Sequence, residues 1–462
     1  MANLSIRTAV LTYQDALHLA RRATFHPSLT LARMLEGKTP SAAVDILLGM
    51  GSTPTPPPWA DLPPNFTNLQ DAYRQWGELQ AWWMQHTLTV PSLREKMVLF
   101  WHNHFTSDYI TVYAAQYMVR QAKLIREKAF AFRDLAEAMI GDPAMLVYLN
   151  GNLSLKGNPN ENFGREWFEL FTLGVGNYTE QDIVEAARAF TGWRLTGSSS
   201  AYNPQFADLG PKTILGETGN WEYPDVVRIT LATQACRLFI ARKLYRQFFE
   251  YNPSPDTLAQ VAQVLQLADY DLTSVLKTLL TSEHFYDLDL RGALIKSPAD
   301  LAIGLAAMTS TTNVHPGFTQ SAMTGLNQEP FYPPTVEGWK GHHSWITSST
   351  FPLRQRYAES YMDGRYGTSS TLLTDVAGAP IAPDLVALAK QFADHNDAEK
   401  LVAHFADFLL AVPTSAQQRA ILLEILLAGA PIYEWDVDSP AAKNRLKLLV
   451  QAIVRMPEFQ LM

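Results

Sequence analysis

Between Asn150 and Arg194 the chain sets Glu161, Glu166, Glu169, Glu180, Asp182 and Glu185 among Asn160, Asn162, Arg165, Arg188, Trp167, Phe168, Phe171 and Trp193. A solvated helix alternates its acids with lysines; this one places them beside aromatic rings. A carboxylate held against apolar surface costs free energy unless it is paired, and such groups acquire proton affinities suited to acid–base work. Helical spacing puts Asn162, Glu166 and Glu169 on one face, and Glu161 with Arg165 on an adjacent face as an i,i+4 ion pair. Two readings stand side by side. In one, this is a capped helix whose acids belong to structural networks. In the other, Glu161 and Glu166 are general acid and base, Asn160 and Asn162 orient the substrate, and Lys156, Arg165, Trp193, Arg194 and Trp339 contact it. Paired carboxylates with stacking tryptophans suit hydrolysis of a glycan or another polar polymer.

A second constellation is MVLFWHNHFTS at 97–107. On a helix His102 and His104 stand about 200° apart and cannot face one metal; on an extended segment they share a side. A divalent metal held by His102 or His104, with a helix glutamate or Asp208, is the alternative chemistry. The bland alternative is one buried and one surface histidine. VEGWKGHHSWI at 336–346 joins two tryptophans, two histidines and Glu337 in a glycine-containing loop, as a binding surface or as a loop pinned by Trp339 and Trp345. The phosphate loop GxxxxGK[ST], the dinucleotide fingerprint GxGxxG, the nucleophile elbow GxSxG and the zincin HExxH are all absent from the sequence.

These residues need a scaffold. Apolar residues at helical intervals predict helices over 13–22, 40–48, 68–87, 91–104, 111–139, 224–251, 257–267, 272–285, 382–408, 416–427 and 440–457. Ser41 is the expected cap of the second, Asn158 caps a helix starting at Pro159, and Thr179 with Asp182 forms a capping box. Runs of alternating β-branched residues are few, so the fold class is mainly α: a large multi-helix domain over 1–462 with little β. STPTPPPWADLPP at 52–64 is a proline-rich break, 195–221 and 315–350 are long Gly/Pro-rich ordered loops, and 370–462 is a candidate C-terminal helical subdomain.

The chain has 462 residues, and its net charge of −8 argues against a nucleic-acid or anionic-membrane binder. The single cysteine, Cys236, excludes an internal disulfide and sits in a helical pattern as a small core residue. No apolar run reaches the roughly 18 residues a membrane span needs, and no secretory h-region is visible at the start, which makes the cytoplasm the default expectation.

HLARRATF (18–25), LREKMVLFWHNHFTS (93–107), the 157–194 block, LGPKTILGETGN (209–220), FIARKLYRQF (239–248), LIKSPADL (294–301) and FYPPTVEGWKGHHSWI (331–346) together resemble the bacterial family called domain of unknown function 1800. The resemblance runs over nearly the whole chain in order and brings no established reaction. It implies frequent export, hence a periplasmic or extracellular setting. It also implies company with a sulfatase-like family, domain of unknown function 1501, so that a non-catalytic assembly or secretion role beside such a partner is a further reading. This chain departs from the family at Ala207, where the resemblance leads one to expect a His-Asp pair before the Gly-x-Lys-Thr segment.

Overall fold

The computed structural model describes residues 2–311, 313–365 and 371–462. The chain is 57% helical, with 22 α-helices among the described residues beside short 3-10 and π turns, and 6% is strand or isolated bridge, so the fold is mainly α. The strands are two short antiparallel hairpins, Trp193–Thr196 with Ser199–Tyr202 and Lys212–Ile214 with Glu217–Gly219. Both lie inside the 195–221 region or at its edge, which is therefore an ordered insert. No helix among the described residues is long and apolar enough to cross a membrane.

Local chemistry sets most helix starts. Thr179 accepts from the Asp182 backbone while the Asp182 side chain returns a bond to the Thr179 backbone, completing the expected box. Ser297 and Asp300 form the same device at the head of Pro298–Met308. Two expected caps move. Thr39 caps Pro40–Gly49 because Pro40 already occupies the first helical position. Asn160, not Asn158, caps the helix Glu161–Glu166.

Several expected long helices are broken by tertiary demands. The 111–139 span divides into Tyr109–Val112, Ala115–Glu127 and Phe132–Ile140. Tyr113 turns left-handed at φ 52°, and residues 130–132 leave the helix to exchange backbone hydrogen bonds with 270–272. The 224–251 span is interrupted between Leu231 and Gln234, where Thr233 caps a new helix, Gln234–Phe248. The 382–408 span becomes Leu385–Ala389 and Ala398–Leu409. The 315–350 loop begins with a helix, Pro316–Gly325, which His315 caps.

Buried apolar side chains gather in three clusters among the described residues. One joins the C-terminal helices to Leu17, Leu29, Ala32 and Leu301. The helix Tyr13–Ala23 ties the clusters together through two buried guanidinium groups. Arg21 donates to the carbonyl of Phe408 at 2.7 Å, at the end of Ala398–Leu409. Arg22 donates to Phe249 at 2.7 Å and also to Phe248 and Leu290, closing the end of Gln234–Phe248. Helix carbonyl ends lack intrahelical donors and carry partial negative charge, so an arginine there satisfies both needs.

The helix Glu161–Glu166 is seated on Glu180–Ala189 at Gly164, where an added Cβ would stand 2.8 Å from the Ile183 carbonyl oxygen and 3.2 Å from the Ala187 nitrogen. Both obstacles are backbone. Gly164→Ala, which stabilises an exposed helix by about 0.5–1 kcal/mol, is therefore expected to destabilise this protein by roughly 1–3 kcal/mol. The urea midpoint at unchanged slope measures it; a midpoint that rises would refute the close seating.

Candidate functional site

Three stripes of side chains converge on one cleft of ≈ 420 Å³. The helix Leu93–His104 contributes Lys96, Leu99, Phe100, Asn103 and His104, spaced by three and four so that all share a face. The helix Gln234–Phe248 contributes Phe239, Lys243, Arg246 and Gln247 by the same rule. The loop after Gln328 brings Glu337, Trp339, Lys340 and His342. Glu169 comes from Trp167–Thr172, where the backbone widens into a π-helical turn, a feature common at functional sites.

The floor is charged. The Lys96 ammonium, 1% exposed, donates to Asp300, whose other oxygen accepts from the Ser297 hydroxyl at 2.7 Å. The wall opposite holds Lys243, whose ammonium stands 3.0 Å from His104 Nδ1 and 3.4 Å from the Leu170 carbonyl. Burial pushes the Lys243 amine down to about 8, and the Glu337 carboxylate opposes that fall. Burial, then the neighbouring ammonium, holds His104 far below the usual imidazole range. His104 is thus the neutral acceptor and Lys243 the donor.

The acidic wall holds Glu169 and Glu337, with half-buried Glu166 close to both. Burial raises the Glu166 carboxyl, Glu169 adds to the rise and Glu337 contributes further, while Arg165 opposes. Glu169 Oε2 accepts from the Tyr178 hydroxyl at 2.9 Å. Trp339, 5% exposed, is held by its backbone: Asn103 Oδ1 accepts its N–H at 2.6 Å and Asn103 Nδ2 donates to its carbonyl at 3.2 Å. The adjacent Gly338 has φ +78°, and a Cβ there would lie 2.2 Å from Asn103 Oδ1, so only glycine permits this clamp.

The structure redistributes the residues singled out from sequence. Glu161 and Glu166 sit at either end of a short helix, about 140° apart in projection. Glu161 is exposed and outside the cleft, so the two do not form a facing pair; the lining glutamates are Glu169 and Glu337. Arg165 pairs with Glu180 at 2.7 and 3.0 Å rather than with Glu161. Asn160 Oδ1 caps Asn162 N at 2.9 Å and its amide donates to the Asn150 carbonyl at 3.0 Å; Asn162 reaches toward the Leu149 carbonyl. Both serve the helix entrance. Lys156 is exposed, with its backbone N–H bonded to Phe206. Arg194 donates to the carbonyls of Asn152, Ser154 and its neighbour Trp193, and stacks on Phe206. Trp193 packs between Tyr202 and Tyr223 over Gly141, away from the cleft. Of the expected substrate contacts, Trp339 alone lines the cleft.

The histidines and Asp208 do not converge on a metal. His102 and His104 lie on a helix, so they part company as the helical geometry requires. His102 Nε2 accepts from the Phe331 N–H at 3.2 Å and its ring packs on Phe331 and Trp339. His104 faces Lys243. Asp208 is held by Arg188 at 2.8 Å, with Lys212 also nearby. Among the described residues no three His, Cys, Asp or Glu side chains are grouped to hold a metal ion. The donor set expected from sequence therefore does not fit one.

Sequence reasoning did not single out Lys96, Lys243 or Asp300. Their local signals are the apolar-to-charged stripes in LREKMVLFWHNH and FIARKLYRQF and the capping box in KSPAD. Each of those segments reads equally well as an ordinary surface helix.

A family model described as "Protein of unknown function (DUF1800)" matches residues 18–461. No curated protein and no solved structure matches the chain.

The electrostatic coupling of the two walls is open to measurement. In the protein carrying ¹³C-methylated lysines, Lys243 is expected to titrate near about 8. Glu337→Gln should lower that value, because it removes the charge that favours the ammonium. A Lys243 resonance that titrates with the surface lysines, unmoved by Glu337→Gln, would contradict this geometry.

Proposed function

The chain belongs to the DUF1800 family, and on the geometry of its cleft we propose that it is a hydrolase that uses paired carboxylates on a polar polymer, a glycan being the best-matched class. One observation carries the reading. Glu166 and Glu169 from one segment and Glu337 from a loop far along the chain come close enough to shift proton affinity, at a cleft also lined by Trp339 and by the Lys243–His104 pair. Carboxyl groups that repel one another hold protons with unequal affinity, and the half-buried Glu166 is the member whose affinity is raised. That asymmetry is what a general acid and a general base require.

In this reading Glu169 and Glu337 face the substrate and divide the acid and base roles. Glu166, whose proton affinity burial and both neighbours raise, stands beside them. Trp339 lines the cleft from a buried position, its ring packed on His102, and Asn103 keeps it in place by gripping its backbone. Lys243 supplies a positive charge within the field of Glu337, where negative charge on a departing oxygen could be stabilised. Glu161, Asn160, Asn162, Lys156, Arg165, Trp193 and Arg194 have no part in this chemistry.

The test is a panel of polysaccharides assayed for new reducing ends with wild-type protein, Glu169→Gln, Glu337→Gln and Trp339→Ala. Loss of roughly 10²–10⁴ in kcat is expected for each glutamine variant, with Trp339→Ala acting mainly on KM. If no polymer in the panel is cut, or if both glutamine variants turn over like wild type, the reading is wrong.

A further inference from the structure

The protein carries a net charge of −8, yet its cleft is rich in cations. Lys96, Lys243, Arg246 and Lys340 line it. Asp300 answers Lys96, but among the described residues no carboxylate lies within ion-pair distance of Lys243, Arg246 or Lys340. Lys243 and Arg246 are one turn apart on the same helix face, and Gln247 stands beside them. The Arg246 guanidinium is oriented, not neutralised: its Nε donates to the Tyr251 carbonyl at 2.9 Å and its plane lies 4.3 Å above the Tyr251 ring. Tyr251 in turn stacks on His342 at 4.4 Å, which fixes the rim on the Lys340 side. A helix C-terminus ordinarily repels anions, but here Arg22 donates to the Phe248 and Phe249 carbonyls and offsets that end.

We propose that the Lys243–Arg246–Lys340 end of the cleft is a subsite for a pendant anionic group, a carboxylate or a sulfate ester, so that the substrate is an acidic polymer rather than a neutral one. The proposal rests on the hydrolase reading above and names the substrate class of that same site. Lys243 stands within the field of Glu337 and so borders the carboxylates of the cleft. The anionic group lies toward Arg246, about 4.5 Å further along the helix than Lys243. Arg246 suits the task because its planar fork can donate two parallel bonds to one carboxylate or sulfate. At Lys243 and Arg246, partial burial beside apolar walls strengthens the attraction. The lowered proton affinity of Lys243 adds a signature: its charge, and with it the affinity for an anion, is lost as pH rises through about 8.

The experiment is calorimetric titration of the full chain with three tetrasaccharides: one built of uronic acids, one sulfated and one neutral. Wild type, Lys243→Met, Arg246→Met and Lys340→Met are compared, with Lys128→Met as a control remote from the cleft. The expected result is at least 10-fold tighter binding of an acidic ligand than of the neutral one. That margin should be lost in Lys243→Met and Arg246→Met, reduced in Lys340→Met and kept in Lys128→Met. The acidic ligand that binds identifies carboxylate or sulfate. Lys340 is exposed, so its variant reports even where Lys243→Met fails to fold. Equal affinity for acidic and neutral ligands, binding that none of the three cleft variants weakens, or no binding of any ligand overturns the proposal. These outcomes are independent of turnover, so an inactive protein that still binds acidic ligands through Arg246 would sink the hydrolase and keep the subsite.

Discussion

Asp300 is the anion around which the interior of this protein is arranged. Its carboxylate pairs with Lys96, and its charge favours the cationic forms of Arg22, Lys296 and Arg354. Each of those side chains is almost completely buried, and together they reach two distant parts of the chain. Arg22 closes the helix that carries Lys243. Lys296 donates to the Phe459 carbonyl at 2.6 Å, and Arg354 donates to the Lys296 carbonyl at 2.7 Å and to Gln460 at 2.6 Å. The C-terminal tail, the cleft floor and the first helix are therefore locked to one carboxylate. Burying several cations around a single acid is tolerable because backbone carbonyls, many of them at helix ends, supply the remaining negative potential.

The cleft is a consequence of that arrangement. Helices closed by buried arginines can end against one another without exposing their carbonyls, and the space between those ends stays open. The polar groups lining it are fixed by backbone contacts more than by one another: Trp339 through Asn103, Lys243 through Leu170, Arg246 through Tyr251. A site built this way keeps its side-chain charges largely uncompensated, and uncompensated charge in a confined space is what binding and catalysis can use. The π-helical turn at Trp167–Thr172 belongs to the same logic. Thr172 donates its hydroxyl to the Trp167 carbonyl at 2.5 Å within that turn, and the changed register carries Glu169 to the cleft while Trp167, Phe168 and Phe171 stay in the core.

The acidic block at 150–194 brings Glu169 to the cleft, while the residues grouped with it along the chain sit elsewhere. The carboxylates beside aromatic rings do include two of the three coupled glutamates, and the spacing that grouped Glu166 with Glu169 survives in the structure. Glu161 does not belong, because its helix begins there and its side chain meets solvent. Asn160 and Asn162 looked like chemistry because a helix entrance and a substrate clamp use the same amides. The Arg165–Glu161 pair is locally sensible, but Glu180 on the neighbouring helix offers a two-pronged contact that a one-turn neighbour does not. The histidine pair was settled by the helix itself, which sends His102 to Phe331 and His104 to Lys243.

What the sequence determined alone is what depends on neighbours along the chain. The mainly α class follows from apolar periodicity, the capping box at Thr179 from residues three apart, and the ordered character of 195–221 from its length without helical period. The tertiary structure decided where helices are interrupted, since the break near Ala131 exists only because 270–272 needs backbone partners. It also decided which charges meet. Lys96 and Asp300, or Glu166 and Glu337, carry no mark of each other in the chain, because an ion pair or a repulsion depends on distance through space. That distance is set by how buried helix faces pack and by which carbonyl ends the arginines reach.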